Sequence, residues 1–436
     1  MPEKPKVTVF WFRRDLRLED NAGLFYALQT GYPVLPLFIF DTSILDKLPD
    51  KDDGRVTFIH QAIHELNGQL LPYKSSVYVK HASVISVWMN LLDEFDVQKV
   101  YTNNDYEPYA RDRDHKVEQL LKARNISFYS CKDHLIFEKS EIIKSDNSPY
   151  TVFSPYKRRW LEAFQPGIQL KPFESAKLLD HLYPGMFKTP HLEVLGFTKS
   201  ALSLPDKRFK EKLPDYAALR DYPSIEGTTR LGIHLRFGTI SIREVVAEAL
   251  RSSEVWLSEL IWREFYSMIL WHFPDTVNQS FKKDFDNINW RNDEAEFLAW
   301  TEGMTGYPLV DAGMRELNST GFMHNRVRMV VASFLCKHLL IDWRWGAAYF
   351  AQKLLDYEMA SNIGGWQWAA GTGNDAAPYF RIFNPTLQLK KFDSKLEYVK
   401  KWVPEYGDPF QYPQPVVNHE FARTRALQAY KAALKT

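Results

Sequence analysis

VTVFWF (7–12) decides the fold: six residues, all apolar or β-branched, running without polar alternation into Arg13-Arg14. A strand that is apolar on both faces belongs to a sheet covered on both sides, and such sheets are parallel. Further runs of this kind follow at VLPLFIF (34–40), VYVKHA (77–82), VQKVYTNND (97–105) and ISFYSC (126–131). Between them lie stretches such as RVTFIHQAIHELNGQLL (55–71) and ARDRDHKVEQLLKAR (110–124), whose apolar residues recur at the three-and-four spacing of an amphipathic helix. This alternation predicts an α/β domain over 1–131, built on a doubly wound parallel sheet. The domain lacks G-x-G-x-x-G and G-x-x-x-x-G-K-[ST], and with them the glycine-rich anion cradle of a Rossmann site or a P-loop.

Over 132–205 the periodicity fades and seven prolines gather, from Pro149 to Pro205, which predicts an interdomain linker. From 206 to 436 amphipathic helical patterns dominate, predicting an all-α second domain. With 55 Lys plus Arg against 54 Asp plus Glu the chain has no global attraction for polyanions, so any nucleic-acid site must be a local patch. The two cysteines, Cys131 and Cys336, rule out a disulfide scaffold and suit a reducing cytosol. No run of 18 apolar residues occurs, and the apolar run before Arg13 is too short for a signal peptide, so a cytoplasmic chain is expected. Nine of the 13 tryptophans fall between Trp256 and Trp368. That clustering asks for a chemical reason.

In EVWLSELIWREFYSMIL (254–270), Glu259, Trp262, Arg263 and Tyr266 lie on one helical face, joining an acid, a cation and two aromatics. Such a face can hydrogen-bond the edge of a planar ligand while an indole stacks on its flat side; the alternative is an exposed face with a local Glu259–Arg263 pair. In GFMHNRVRMVVASF (321–334), Asn325, Arg328 and Met329 share a face that resembles a ligand wall, although Met at this spacing also serves as core filler. In LLDYEMASNIGGWQWAAGTGNDAAPYFRIFNP (354–385), Asp356, Glu358 and Asn362 lead into Gly364-Gly365 and the pair Trp366 and Trp368. A cofactor pocket and a tight helix end at the glycines both accommodate that pattern. In GTTRLGIHLRFGTIS (227–241), Thr228, Thr229 and Arg230 offer the hydroxyls and cation that a phosphate diester requires, or else simply cap a helix. The 12 His and two Cys form no metal-binding spacing, and no metal is expected.

From FWFRRDLRLEDNAGL (10–24) to YFRIFNP (379–385) these segments together resemble the photolyase/cryptochrome family. The resemblance implies an N-terminal α/β antenna domain, a linker and a helical domain that binds FAD and DNA. It places Tyr216, Thr228, Thr229, Arg230, Leu231 and Gly232 at the flavin phosphates and sugar, with Gly232 standing where Ser is usual. It places Arg328, Asp356 and Asn362 along the isoalloxazine, with Asn362 near N5, and Glu358 where Asp is frequent. Trp366, Trp343 and Trp290 match an indole chain that carries electrons to photoexcited flavin.

Glu259, Trp262, Asn325, Met329 and Trp368 match the pocket of relatives that repair cyclobutane pyrimidine dimers, in which Glu259, Asn325 and Asn362 are the expected catalytic residues. The (6-4) photolyases have histidines at the positions of Asn325 and Met329, and plant cryptochromes typically have Asp at that of Asn362. The implied activity is therefore a deoxyribodipyrimidine photo-lyase. Reduced FAD would act on a flipped-out dimer, with a blue-light photoreceptor or a (6-4) photolyase as alternatives. Arg263 joins the lesion-side expectations, with Arg220 and Gln388, and with Arg326, Lys390 and Lys391 as candidates for backbone contacts. The expected partner is damaged DNA, with no membrane and no obligate protein partner, bound by a monomer. A second antenna chromophore, a folate or a deazaflavin, is implied near YEPYARDRD (106–114), although Pro108 and Tyr109 stand where folate-binding relatives carry Asn-Glu.

Overall fold

A computed structural model describes residues 3–435. The five apolar runs form strands β1 (Lys6–Phe12), β2 (Val34–Asp41), β3 (Tyr78–Ala82), β4 (Asp96–Asn103) and β5 (Ser127–Cys131). They assemble in the order β3-β2-β1-β4-β5 with every neighbouring pair parallel. β1 and β2 lie inside the sheet and are buried on both faces, as their unbroken apolar sequence requires. Trp11 of β1 meets Trp88 of the helix Val84–Glu94 edge to face, with centroids 5.6 Å apart, in a core shared with Val9, Leu37, Val100 and Leu121.

Two compact units result, and neither is contiguous in sequence. The first takes in the residues through Glu138, Ala163–Lys207 and Leu231–Arg251; the second takes in Lys139–Glu162, Arg208–Arg230 and the residues from Ser252 on. This differs from a division at 131 and 205. The segment 231–251 joins the sheet unit because Arg243 is buried between Asp20 (Nε to Oδ1, 2.8 Å) and Asp133 (Nη2 to Oδ1, 2.8 Å), while Arg17 also grips Asp133 at 2.7 Å. Buried charges persist only when paired and hydrogen-bonded, so this cluster fixes its members to one another. Gly238 completes the join: at φ +61° it lies so close to the loop after β1 that a Cβ would stand 2.1 Å from the Arg14 carbonyl oxygen. The expected linker is likewise divided, and it contains the helix Phe153–Ala163.

The second unit is helical. Its core gathers Trp300, Met314, Phe334, Leu339, Trp343 and Trp366, with Trp290 and Trp368 packed half-buried against it. Three helices carry the polar faces picked out in the sequence: Glu254–His272, Asn325–Ser333 and Met359–Ala370. The first is capped by Ser253, whose hydroxyl accepts from the Trp256 amide. The second is capped by His324, whose Nδ1 accepts from the Arg326 amide at 3.2 Å. Burial and the nearby Arg328 guanidinium lower the His324 pKa to about 4, which keeps that nitrogen free to accept. The third helix runs through Gly364-Gly365 and stops only at Gly371, at φ +86°, so the glycine pair is not a helix end.

Candidate active site

The three helices contribute most of the lining of an open cavity of about 390 Å³ in the second unit, a size typical of small-molecule sites. Among its walls stand Glu259, Trp262, Asn325, Met329 and Trp368, five of the residues expected at a lesion. Arg328, Asp356, Glu358, Asn362 and Trp366, expected along a flavin, line the same space. Arg220 and Arg263 line it too, and Tyr266 and Tyr357 add aromatic surface. Tyr266 was legible one helical turn after Trp262; Tyr357 carried no signal of its own.

Ion pairs fix the walls, and none is the local pair that helical spacing allowed. Glu259 pairs with Arg220 rather than with Arg263. Arg263 instead makes a two-point contact with Glu358, and Arg328 Nη2 contacts both Asp356 oxygens at 3.0 and 3.2 Å. Arg328 Nε also donates to the Met323 carbonyl at 2.7 Å, so the guanidinium has one orientation. Asn362 donates Nδ2 to the Ala347 carbonyl at 3.0 Å, which sets its amide. Arg326, whose Nη1 is 3.8 Å from the sulfur of Met329, is engaged with Asp221 at 2.8 Å and lies over the Phe392 ring.

Packing explains the glycine pair. A Cβ on Gly364 would stand 2.2 Å from Tyr266 Cδ1, so the helix approaches Tyr266 as closely as only glycine allows. Gly365 meets nothing within 4 Å and lines the cavity. The indole of Trp262 is held by three rings: Phe153 lies parallel to it, with centroids 3.7 Å apart at 10°, Phe265 meets it edge-on at 5.6 Å, and Tyr266 lies tilted at 5.4 Å.

The remaining expected residues lie outside this cavity. Trp343 is fully buried in the core that also holds Trp366, and Trp290 is half-buried at that core's margin beside Tyr430. The indole nitrogens of Trp343 and Trp366 are buried without a hydrogen-bond partner among the described residues. Tyr216 is buried against Trp256, and burial raises its phenol pKa. Thr229 is buried, and the Thr228 carbonyl accepts from Lys212 Nζ at 3.0 Å. Arg230 has φ +53°, an uncommon backbone state for a side chain of its size, and lies 4.6 Å over Phe322. Leu231 and Gly232 belong to the first unit, where Leu231 precedes the short helix Gly232–Arg236. Gln388 lies on the helix Pro385–Phe392, with its side-chain oxygen buried and unpartnered; Lys390 and Lys391 of that helix are exposed.

The cavity's donors suit a flavin: a fixed guanidinium–carboxylate pair, an oriented amide, and an open stretch of helix at Gly365. Residues 8–177 match the DNA photolyase domain, and residues 256–410 match the FAD binding domain of DNA photolyase. A deoxyribodipyrimidine photo-lyase of Escherichia coli is 36% identical, over 98% of this chain and 98% of its own. The crystal structure of a class III photolyase from Agrobacterium tumefaciens superposes with a TM-score of 0.87 at 34% identity, covering 100% of this chain and 99% of that one. A cryptochrome of Synechocystis superposes with a TM-score of 0.86 at 25% identity, over 98% and 100% of the two chains. Domain matches, near-full-length relatives and the cavity's residues converge on one conclusion: the chain belongs to the DNA photolyase/cryptochrome family and carries its FAD-binding domain.

Proposed function

We propose that this protein repairs cyclobutane pyrimidine dimers in DNA, using light absorbed by reduced FAD. The observation that carries the proposal is the shared cavity, in which Glu259, Trp262, Asn325, Met329 and Trp368 stand with Arg328, Asp356, Asn362 and Trp366. A reduced flavin held by Arg328, Asp356 and Asn362 would supply light-driven one-electron donation to the dimer, with no net redox change once the ring has opened. The residues supply the rest. A dimer must leave the duplex to reach the cavity, at a cost of a few kcal/mol that is least for a badly stacked step. Trp262 and Trp368 offset part of this, since stacking a base on an aromatic contributes roughly 1–3 kcal/mol. Glu259 and Asn325 offer a carboxyl and an amide to the pyrimidine carbonyl and N–H edges. Arg220, Arg326, Gln388, Lys390 and Lys391 engage the DNA backbone, giving binding that ignores sequence and weakens with salt.

Asn325 and Met329 favour this lesion over the (6-4) photoproduct, because neither side chain can donate the proton that a histidine supplies there. The indoles Trp290, Trp343 and Trp366 support reduction of flavin by light, which a photoreceptor would share. Repair separates the two readings. Reduced holoprotein, illuminated with blue light in the presence of a dimer-containing oligonucleotide, is expected to restore the thymines. Photoreduction without any restoration would leave the photoreceptor as the function.

A further inference from the structure

The aromatic stack behind Trp262 has no part in the scheme above. Phe153 opens the helix Phe153–Ala163, and Phe153, Tyr156 and Trp160 form its buried stripe. Two of these dock the helix on Glu254–His272 away from the cavity: Tyr156 packs 5.2 Å from Phe265, and Trp160 Nε1 donates to the buried Glu264 carboxylate at 2.6 Å. Phe153 also meets Phe265 edge-on at 5.7 Å, yet it makes the closest and flattest ring contact of the three against Trp262, the indole of Glu254–His272 that lines the cavity. Phe153 does not reach the cavity itself, so the cavity meets only the part of Trp262 that Phe153 leaves uncovered. Its backbone is anchored by the segment that follows Met359–Ala370. The Asp375 carboxylate accepts from the Phe153 amide at 2.9 Å, and Asn374 Nδ2 donates to the Thr151 carbonyl at 3.1 Å. Both residues lie just past the Gly371 cap of the helix that carries Asn362, Trp366 and Trp368.

We propose that Phe153, held by Asp375, is a positioning residue for the lesion: it backs the indole of Trp262 so that one face is presented, at a fixed angle, to a flipped pyrimidine. The proposal rests on the repair function above. A half-buried indole with no backing would change rotamer, and the ordering cost would fall on binding; pre-set by Phe153, it does not. The effect belongs to lesion affinity and leaves the light-driven step alone.

Phe153→Leu keeps apolar volume and removes the flat ring, with Tyr156 and Trp160 still docking the helix. Dimer-containing duplex is expected to bind about two- to tenfold more weakly, the range an aromatic pair contributes. Affinity for undamaged duplex, flavin content and repair per absorbed photon at saturating DNA should be unchanged, and Phe153→Tyr should restore lesion binding. Equal loss on damaged and undamaged duplex, or no loss, would overturn the proposal. Trp262→Ala measured alongside separates the two levels. If it abolishes lesion preference while Phe153→Leu leaves lesion affinity at its original value, only the role of Phe153 fails; if Trp262→Ala too leaves lesion preference intact, the stacking that the repair reading requires fails with it.

Discussion

Glu358 grips Arg263 at two points, Oε2 to Nε at 2.9 Å and Oε1 to Nη2 at 2.8 Å, with about a tenth of either side chain exposed. The pair ties the helix Glu254–His272 to the first turn of Met359–Ala370, and so holds the residues expected around the lesion in register with those expected around the flavin. Removing one partner strands the other. Arg263→Ala should lower stability by about 3 kcal/mol, whereas Arg263→Lys, which keeps the charge without the fork, should cost less. Denaturant unfolding of the holoprotein measures both, and equal losses would show that the fork geometry contributes nothing.

The Arg220–Glu259 pair occupies the carboxylate that the proposed chemistry needs. In the repair proposed above, a DNA phosphate would take over Arg220 and release Glu259 to the pyrimidine edge. Arg220→Ala should weaken binding and flatten its salt dependence. Glu259→Ala should lower repair at saturating DNA more than it lowers affinity. Matching losses in both quantities for Glu259→Ala would assign it to binding alone.

Trp290→Phe should block light-driven reduction of oxidised flavin and spare repair by chemically pre-reduced protein. Absorbance during illumination gives the first quantity and thymine restoration the second. Loss of both would place Trp290 in the fold rather than in electron supply.

The two adjacent glycines should respond in opposite ways. Gly364→Ala forces a methyl against Tyr266 and should cost about 1–3 kcal/mol of stability, as overpacking does. Gly365→Ala meets no neighbour and should stabilise the helix by roughly 0.5–1 kcal/mol, while narrowing the cavity and reducing flavin content. Thermal unfolding and the flavin-to-protein absorbance ratio test the pair together.

His324 caps its helix as a neutral ring, with its pKa lowered by burial to about 4 from an ordinary 6.5. Below pH 6.5 the unfolded chain takes up a proton that the folded chain resists, so stability falls as pH drops from 6.5 towards 4. His324→Asn retains a capping oxygen and removes the titration, so its loss of stability across that interval should be shallower. An unchanged slope would show that other groups account for it.

The sheet was legible because β1 and β2 are apolar on both faces, and only a covered parallel sheet hides such strands. The cavity was legible as three helical faces in which acids, cations and indoles recur at three and four. What spacing could not disclose is who pairs with whom. Glu259 and Arg263 sit one turn apart, yet their partners are Arg220 and Glu358, brought in by tertiary packing. Gly364-Gly365 reads locally as a helix end, and the close contact with Tyr266 overrides that preference. Phe153 lies in a stretch without periodicity, where nothing marks one aromatic above another. The placement of 231–251 depends on the buried Arg243–Asp20–Asp133 cluster, whose members are scattered along the chain.

The unpartnered nitrogens of Trp343 and Trp366 bear on what happens after an electron leaves an indole. An oxidised indole is a far stronger acid than its parent, and a nearby acceptor would strip its proton and trap the hole as a neutral radical. Neither ring has such an acceptor among the described residues. If these indoles relay charge as proposed, a vacancy on either keeps its proton and stays mobile, free to migrate outward to Trp290 or to recombine. Deprotonation would then fall to the half-buried end of the line, where water can reach, and the yield of lasting reduction would be decided there.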